Sequence, residues 1–319
     1  MKIIFMGTPD FAVSTLEEII NAGHEVAAVV TQPDKPKGRG GAFAMSPVKE
    51  TALKHDLCVL QPEKCSNDEF IETLSSYNPD VIVVVAFGQK LPKSIIDMPK
   101  YGCINVHASL LPKYRGASPI QWAVIDGCEY SGVTTMMMDE GLDTGDMLLT
   151  KKVKLDDKET GGSLFEKLSS IGAELLVETL EKVERGDIER IKQDDTQATY
   201  VKMLSKSFGK IDFSKSAVSI ERLVRGLNPW PSAYTSIGGK MLKIWDADVC
   251  SQDAQRLCDL TEVSMAPSGS VVKVTDKAFF VKCGEDLLEV TQLQLEGKKR
   301  MKTEDFLRGY HLEKGVLLG

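Results

Sequence analysis

Residues 80–86, Asp-Val-Ile-Val-Val-Val-Ala, restrict the fold more than any other segment of the chain. The run is apolar without alternation, so both of its faces must be buried. Strands of that kind sit inside parallel sheets covered by helices. Comparable runs recur. Lys2–Met6 ends at Gly7, and a helix is expected over Phe11–Ala22 with Asp10 as its cap. Glu25–Val30 and Cys103–His107 read as further strands, and Gly132–Asp139 and Asp146–Leu155 as two more. A long helix over Ser163–Arg185 should close at Gly186. This alternation predicts a Rossmann-like, doubly wound α/β sheet over residues 1–186, with ligands beyond the carboxyl ends of its strands.

The character changes afterwards. Residues 187–206 are polar and read as a linker. Residues 207–319 hold a helical stretch near Ala217–Leu227. Short strands follow around Tyr234–Ile237, Lys240–Val249, Gly269–Thr275, Ala278–Lys282 and Leu287–Leu293. Many short strands with turn signals predict a second, smaller β-barrel domain.

Several classes are disfavoured. No apolar segment approaches the roughly 20 residues that span a bilayer. Met1–Gly7 reads as a first strand rather than a signal peptide. Seven cysteines are scattered without a Cys-x-x-Cys pair. That usage fits a reducing cytosol and argues against structural zinc, so a cytoplasmic protein with no metal is expected. Gly7-Thr8-Pro9-Asp10 stands where a dinucleotide fold carries G-x-G-x-x-G, so NAD is not expected. Nothing demands more than a monomer. The formal charge is −7, yet residues 206–319 hold 17 Lys and Arg against 15 Asp and Glu. The second domain can therefore meet a polyanion more readily than the first.

The candidate chemistry lies at one strand end. Asn105 and His107 are two apart, and residues i and i+2 of a strand share a face. An amide and an imidazole thus converge where ligands are expected. The pair suits polarising a carbonyl and moving a proton. Such an imidazole needs an orienting carboxylate. Asp143, in the turn Glu140-Gly141-Leu142-Asp143-Thr144-Gly145, is one candidate; Asp126, Asp139 and Asp146 compete, and spacing alone does not choose among them.

Two basic segments remain. Asp34–Met45 is glycine-rich and carries Lys35, Lys37 and Arg39. It reads either as a surface connection or as an arm that orders on nucleic acid. Lys298, Lys299 and Arg300 form a cluster that reads as a solvated turn or as an electrostatic footprint for RNA.

Met6-Gly7-Thr8-Pro9-Asp10-Phe11, Asn105–Arg115, Gly132-Val133-Thr134, Met138–Asp146, Leu227-Asn228-Pro229-Trp230-Pro231 and Gly297-Lys298-Lys299 together resemble the methionyl-tRNA formyltransferase family. The resemblance runs nearly end to end. It implies formyl transfer from 10-formyltetrahydrofolate to the α-amino group of methionine on initiator tRNA. It places the catalytic residues at Asn105, His107 and Asp143, and folate contacts at Ser109, Leu110, Leu111 and Pro112. It implies an OB-like C-terminal barrel that helps hold the tRNA. It also implies that the loop bearing Arg39 enters the acceptor end. His-Ala-Ser-Leu-Leu-Pro and Gly-Leu-Asp-Thr-Gly-Asp are shared with other folate-dependent formyltransferases. Alternatives are therefore the same transfer to glycinamide ribonucleotide or an amino sugar, or a non-catalytic RNA-binding protein.

Overall fold

The computed structural model describes residues 1–37, 42–250 and 260–319. The chain forms two compact units. The first comprises Met1–Pro119, Tyr130–Lys154 and Phe165–Val201; the second comprises Ile120–Glu129, Leu155–Leu164 and Lys202–Gly319. Residues 187–201, expected as linker, are thus part of the first unit, and residues 202–206 part of the second.

In the first unit the strands are β1 (Lys2–Gly7), β2 (Glu25–Val30), β3 (Lys35–Lys37), β4 (Ala42–Ala44), β5 (Val59–Leu60), β6 (Val81–Val85), β7 (Cys103–His107), β8 (Arg115–Gly116), β9 (Tyr130–Met137), β10 (Met147–Lys154) and β11 (Tyr200–Val201). Seven of them form a sheet in the order β10-β9-β7-β6-β1-β2-β5. The strands from β7 to β5 pair in parallel, with β6 and β1 buried at the centre as the apolar runs require. β9 and β10 are antiparallel, so the sheet is mixed. Residues 138–146 alone connect them, too few for the dozen or more that a parallel crossover needs.

Helices cover the sheet. Phe11–Asn21 follows β1, but Asp10 is already helical at φ −49° and its side chain makes no capping bond. Backbone contact with Pro9 closes that end instead: the Ala12 N–H donates to the Pro9 carbonyl at 2.9 Å. The helix Gly161–Arg185 crosses the Val106 face of β7. A Cβ on its Gly172 would come within 3.1 Å of Val106 Cγ1, so the glycine sets how closely helix and sheet approach. Its Thr179 hydroxyl lies 2.9 Å from that of Thr135 on β9, directly opposite Val106. On the other face Ile82, Val84 and Cys103 join Leu74, Leu91 and Ile95 in one buried cluster. Each such aliphatic side chain contributes about 1.5–3 kcal/mol by leaving water. With Val106 turned to the helix, Asn105 and His107 necessarily face the opposite way.

The second unit carries a separate antiparallel sheet of β12 (Ala233–Ile237), β13 (Lys240–Val249), β14 (Val271–Val274), β15 (Phe279–Lys282), β16 (Leu287–Leu295) and β17 (Met301–Lys302). Its order is β12-β13-β16-β15-β14, with β17 on β16. Ile220 and Val224 of the helix Ala217–Gly226 pack into its core with Phe279, Leu288 and Leu293. Ser216 caps that helix, accepting from the Ser219 N–H at 3.2 Å.

Candidate active site

β7 ends at His107, and the chain then turns through Ser109–Pro112 before reaching β8. Thr134, paired opposite His107 on β9, fastens this turn. Its hydroxyl donates to the Ser109 carbonyl at 2.8 Å and accepts from the Leu111 N–H at 3.3 Å. The Ser109 hydroxyl donates to the Lys113 carbonyl at 2.6 Å. Leu110 packs over Gly132, where an added Cβ would lie 2.5 Å from its Cδ2. The turn is therefore braced by Thr134 from β9 and by its own Ser109 hydroxyl.

His107 is 7 % exposed. Its Nε2 lies 2.9 Å from the Tyr114 carbonyl. A carbonyl only accepts, so Nε2 carries a proton. Its Nδ1 faces Asp143 Oδ1 at 3.7 Å, too far for a direct hydrogen bond. The structure thus brings Asp143 to the imidazole. Among its competitors, Asp139 is engaged within its own turn, accepting from the Gly141 N–H and the Thr144 hydroxyl. Asp126 belongs to the second unit.

Asp143 has φ +54° and Tyr114 φ +59°. Left-handed backbone at such residues costs about 1–3 kcal/mol each and persists where surroundings fix it. Here the Gly116 N–H donates to Asp143 Oδ2 at 2.7 Å. Gly116 has φ +97°, and a Cβ on it would lie 2.6 Å from the Val201 carbonyl oxygen, so no other residue fits this donor position.

Asn105 is partly exposed, but its Oδ1 is buried and has no hydrogen-bond partner. Its Nδ2 end is therefore the edge of the amide open to an incoming group. That end is a donor. A neutral donor, an imidazole with one nitrogen uncommitted and a carboxylate behind it can stabilise an oxyanion and shuttle a proton.

Beside β7, the chain leaving β6 turns at Ala86, φ +46°, and Gly88, φ +88°. The Phe87 carbonyl between them accepts from the Thr8 hydroxyl at 3.0 Å. A cleft of about 410 Å³ opens against Ile96, Gly102, Cys103, Met137, Met138 and Arg190. It lies at the start of β7, and none of Ser109 to Pro112 lines it.

The basic segments are differently placed. Lys35 is exposed on β3, which pairs with β4, so the loop expected there contains a short hairpin. An ion pair of 2.7 Å between Lys49 and Asp34 stands at its root. Hydrogen bonds from Lys49 and Gln61 hold the Asp34 carboxyl below its ordinary range. Arg39 and the Lys37 side chain lie outside the described residues. Lys298, Lys299 and Arg300 are exposed in the turn between β16 and β17. The Arg300 guanidinium lies 4.7 Å from the Trp245 ring, and Lys243 approaches the same ring at 5.5 Å.

Among the described residues no group of three or more His, Cys, Asp or Glu could hold a metal ion, and no helix is long and apolar enough to cross a membrane. Sequence reasoning missed Thr134, Tyr114 and Gly116. Tyr114 lay inside the motif Asn105–Arg115 and Gly116 directly after it, but nothing in a sequence marks a backbone group as a partner.

Comparison with known proteins bears on both units. Residues 1–180 match the family model described as formyl transferase, and residues 203–311 match that of the formyl transferase C-terminal domain. The chain is 66 % identical to the methionyl-tRNA formyltransferase of Lachnospira eligens over 319 residues, covering all of both chains. With that of Clostridioides difficile it shares 50 % over the same span, again all of both chains. Among solved structures, a sugar 3N-formyl transferase, WlaRD, determined in the presence of dTDP and 5-N-formyl-THF, matches with a TM-score of 0.65 at 18 % identity. That match covers 94 % of this chain and 99 % of the other, and it is a likeness of fold.

Proposed function

The chain belongs to the methionyl-tRNA formyltransferase family, and from that premise we propose how its own residues carry the reaction. It transfers a formyl group from 10-formyltetrahydrofolate to the α-amino group of methionyl-initiator tRNA, for initiation of translation. An unperturbed α-amino group has a pKa of about 8, and esterification lowers it, so much of the nucleophile is neutral near pH 7. The site's harder tasks are oxyanion stabilisation and proton delivery to the departing N10.

Asn105 supplies one donor to the developing oxyanion through Nδ2. Protonated His107 supplies the second through Nδ1, because Nε2 is engaged by the Tyr114 carbonyl. A preorganised donor of this kind is worth about 2.7–4 kcal/mol. Asp143 orients the imidazolium, balances its charge and relays the proton lost by the amine through water to the departing N10, so that the proton released at one nitrogen is the one taken up at the other. The single observation that carries this reading is Asp143 Oδ1 standing 3.7 Å from His107 Nδ1 while its other oxygen is fixed by Gly116.

Ser109, Leu110, Leu111 and Pro112 form the wall on which the folate lies, together with the left-handed turn at Ala86–Gly88. Residues 1–186 act as the catalytic domain. Residues 207–319 act as an OB-like domain that holds the tRNA through Lys298, Lys299 and Arg300. Lys35, Lys37 and Arg39 meet the acceptor end of the tRNA. The enzyme works as a monomer in the cytoplasm.

One assay tests this reading. Folate release from 10-formyltetrahydrofolate is followed with methionyl-initiator tRNA, glycinamide ribonucleotide, an amino sugar nucleotide or buffer. Turnover is expected with the tRNA alone. Turnover with another acceptor and none with the tRNA would overturn the assignment of acceptor.

A further inference from the structure

The segment leading out of the first unit, residues 187–201, supplies no group to the proposed chemistry. One of its side chains is nonetheless buried against the site. Gln193 is 6 % exposed. A buried amide must find partners for both its oxygen and its nitrogen. Gln193 Oε1 accepts from Arg115 Nε at 3.0 Å and from Nη2 at 2.9 Å. Its Nε2 donates to the Asp143 carbonyl at 2.9 Å and to the Gly145 carbonyl at 2.7 Å. A guanidinium only donates and carbonyls only accept, so the amide can sit one way round only.

Arg115 is itself 1 % exposed, with Asp195 Oδ1 at 2.7 Å from Nη2 and the Tyr200 hydroxyl at 2.9 Å from Nη1. The same segment also reaches the other side of the imidazole. Thr199 Oγ1 accepts from the Tyr114 N–H at 2.8 Å, and the Thr199 carbonyl accepts from the Arg115 N–H at 2.8 Å. Both neighbours of the His107 ring, the Tyr114 carbonyl and the Asp143 turn, are thereby fixed from one stretch of chain.

We propose that Gln193 is a positioning residue for formyl transfer: oriented by Arg115, it clamps the turn that holds Asp143 against His107. This rests on Asp143 acting as the catalytic carboxylate. The clamp holds the carbonyl of a left-handed residue and that of Gly145 two residues on, so the turn is not free to relax to a conformation with the carboxylate elsewhere. Gln193 touches no reacting atom and acts through Asp143 alone.

The test measures kcat and KM separately for Gln193→Glu, Asp143→Asn and the double variant. Gln193→Glu keeps the shape and the acceptor for Arg115 but sets an oxygen against two carbonyls. Its kcat is expected to fall about 10²-fold, the scale of a group misplaced by an ångström, with both KM values within about threefold. In the Asp143→Asn background the same change should cost less than about twofold more, because the two act as one unit. Gln193→Met removes the amide without adding charge and is the variant to read should Gln193→Glu not fold. A near-normal kcat in the Gln193 variant while Asp143→Asn is inactive would overturn the clamp and leave the catalytic reading standing. So would losses that multiply in the double variant, the mark of a merely structural role. Normal turnover by Asp143→Asn would overturn both.

Discussion

The proposed catalytic groups at the end of β7 and the proposed tRNA footprint in the turn between β16 and β17 rest on different physics. At β7 the proposed groups are few and largely buried, and two of the three have named neighbours: Tyr114 and Asp143 for the imidazole and Gly116 for the carboxylate, while Thr134 fastens the adjoining turn. At the other turn Lys298, Lys299 and Arg300 stand in solvent, and only Arg300 leans on an aromatic ring. A transition state rewards donors that need no reorganisation, so its site is buried and exact in geometry. A polyanion rewards summed charge at long range, so its footprint can be exposed and loose. Damage at the first place should appear in kcat, and damage at the second in affinity and its dependence on salt.

The largest expected effect is at β7. Asn105→Ala removes one oxyanion donor and should lower kcat about 10²–10³-fold with little change in KM for either substrate. Steady-state kinetics decide this, and a variant that retained near-normal kcat would erase the contrast between the two regions.

A smaller effect is expected at the basic turn. Replacing Lys298, Lys299 and Arg300 together by Ala should weaken tRNA binding at low salt. It should also flatten the slope of log K against log salt by about 2–3, given close to one released counterion per neutralised phosphate. Titrations across a salt series measure it; an unchanged slope would remove this turn from the tRNA footprint.

The smallest effect concerns rigidity and not activity. Cys103 begins β7, and burial pushes its thiol up to about 12, while Cys58 is exposed. A thiol reagent at neutral pH should label Cys58 and leave Cys103 untouched in the native protein. Equal labelling by mass spectrometry would mean that the catalytic strand opens as readily as a surface loop.

Much of the first region was legible in the sequence because it follows strand periodicity. The bounds of β7 and the common face of Asn105 and His107 come directly from an alternating pattern ending a buried run. The carboxylate was not legible in the same way. Four aspartates lay within reach of the motif, and only the fold shows Asp143 beside the ring and Asp139 engaged in its own turn. The role of residues 187–201 was hidden for a related reason. Gln193, Asp195, Thr199 and Tyr200 are polar and without period, so they read as linker, yet they are partners of a buried arginine and of the site's backbone. The β3–β4 hairpin was hidden by glycine-rich composition, and the second unit's claim on residues 120–129 and 155–164 has no local signal at all.

The most direct test sets the two regions side by side. Single-turnover formyl transfer with both substrates saturating, and tRNA affinity by titration, are measured for His107→Ala and for the triple replacement of Lys298, Lys299 and Arg300. The predicted result is a double separation. His107→Ala binds tRNA within about threefold of the unaltered protein while its transfer rate falls at least about 10²-fold. The triple variant binds weakly yet transfers at a near-normal rate once saturated. A normal saturated rate in His107→Ala would contradict the assignment of chemistry to the end of β7.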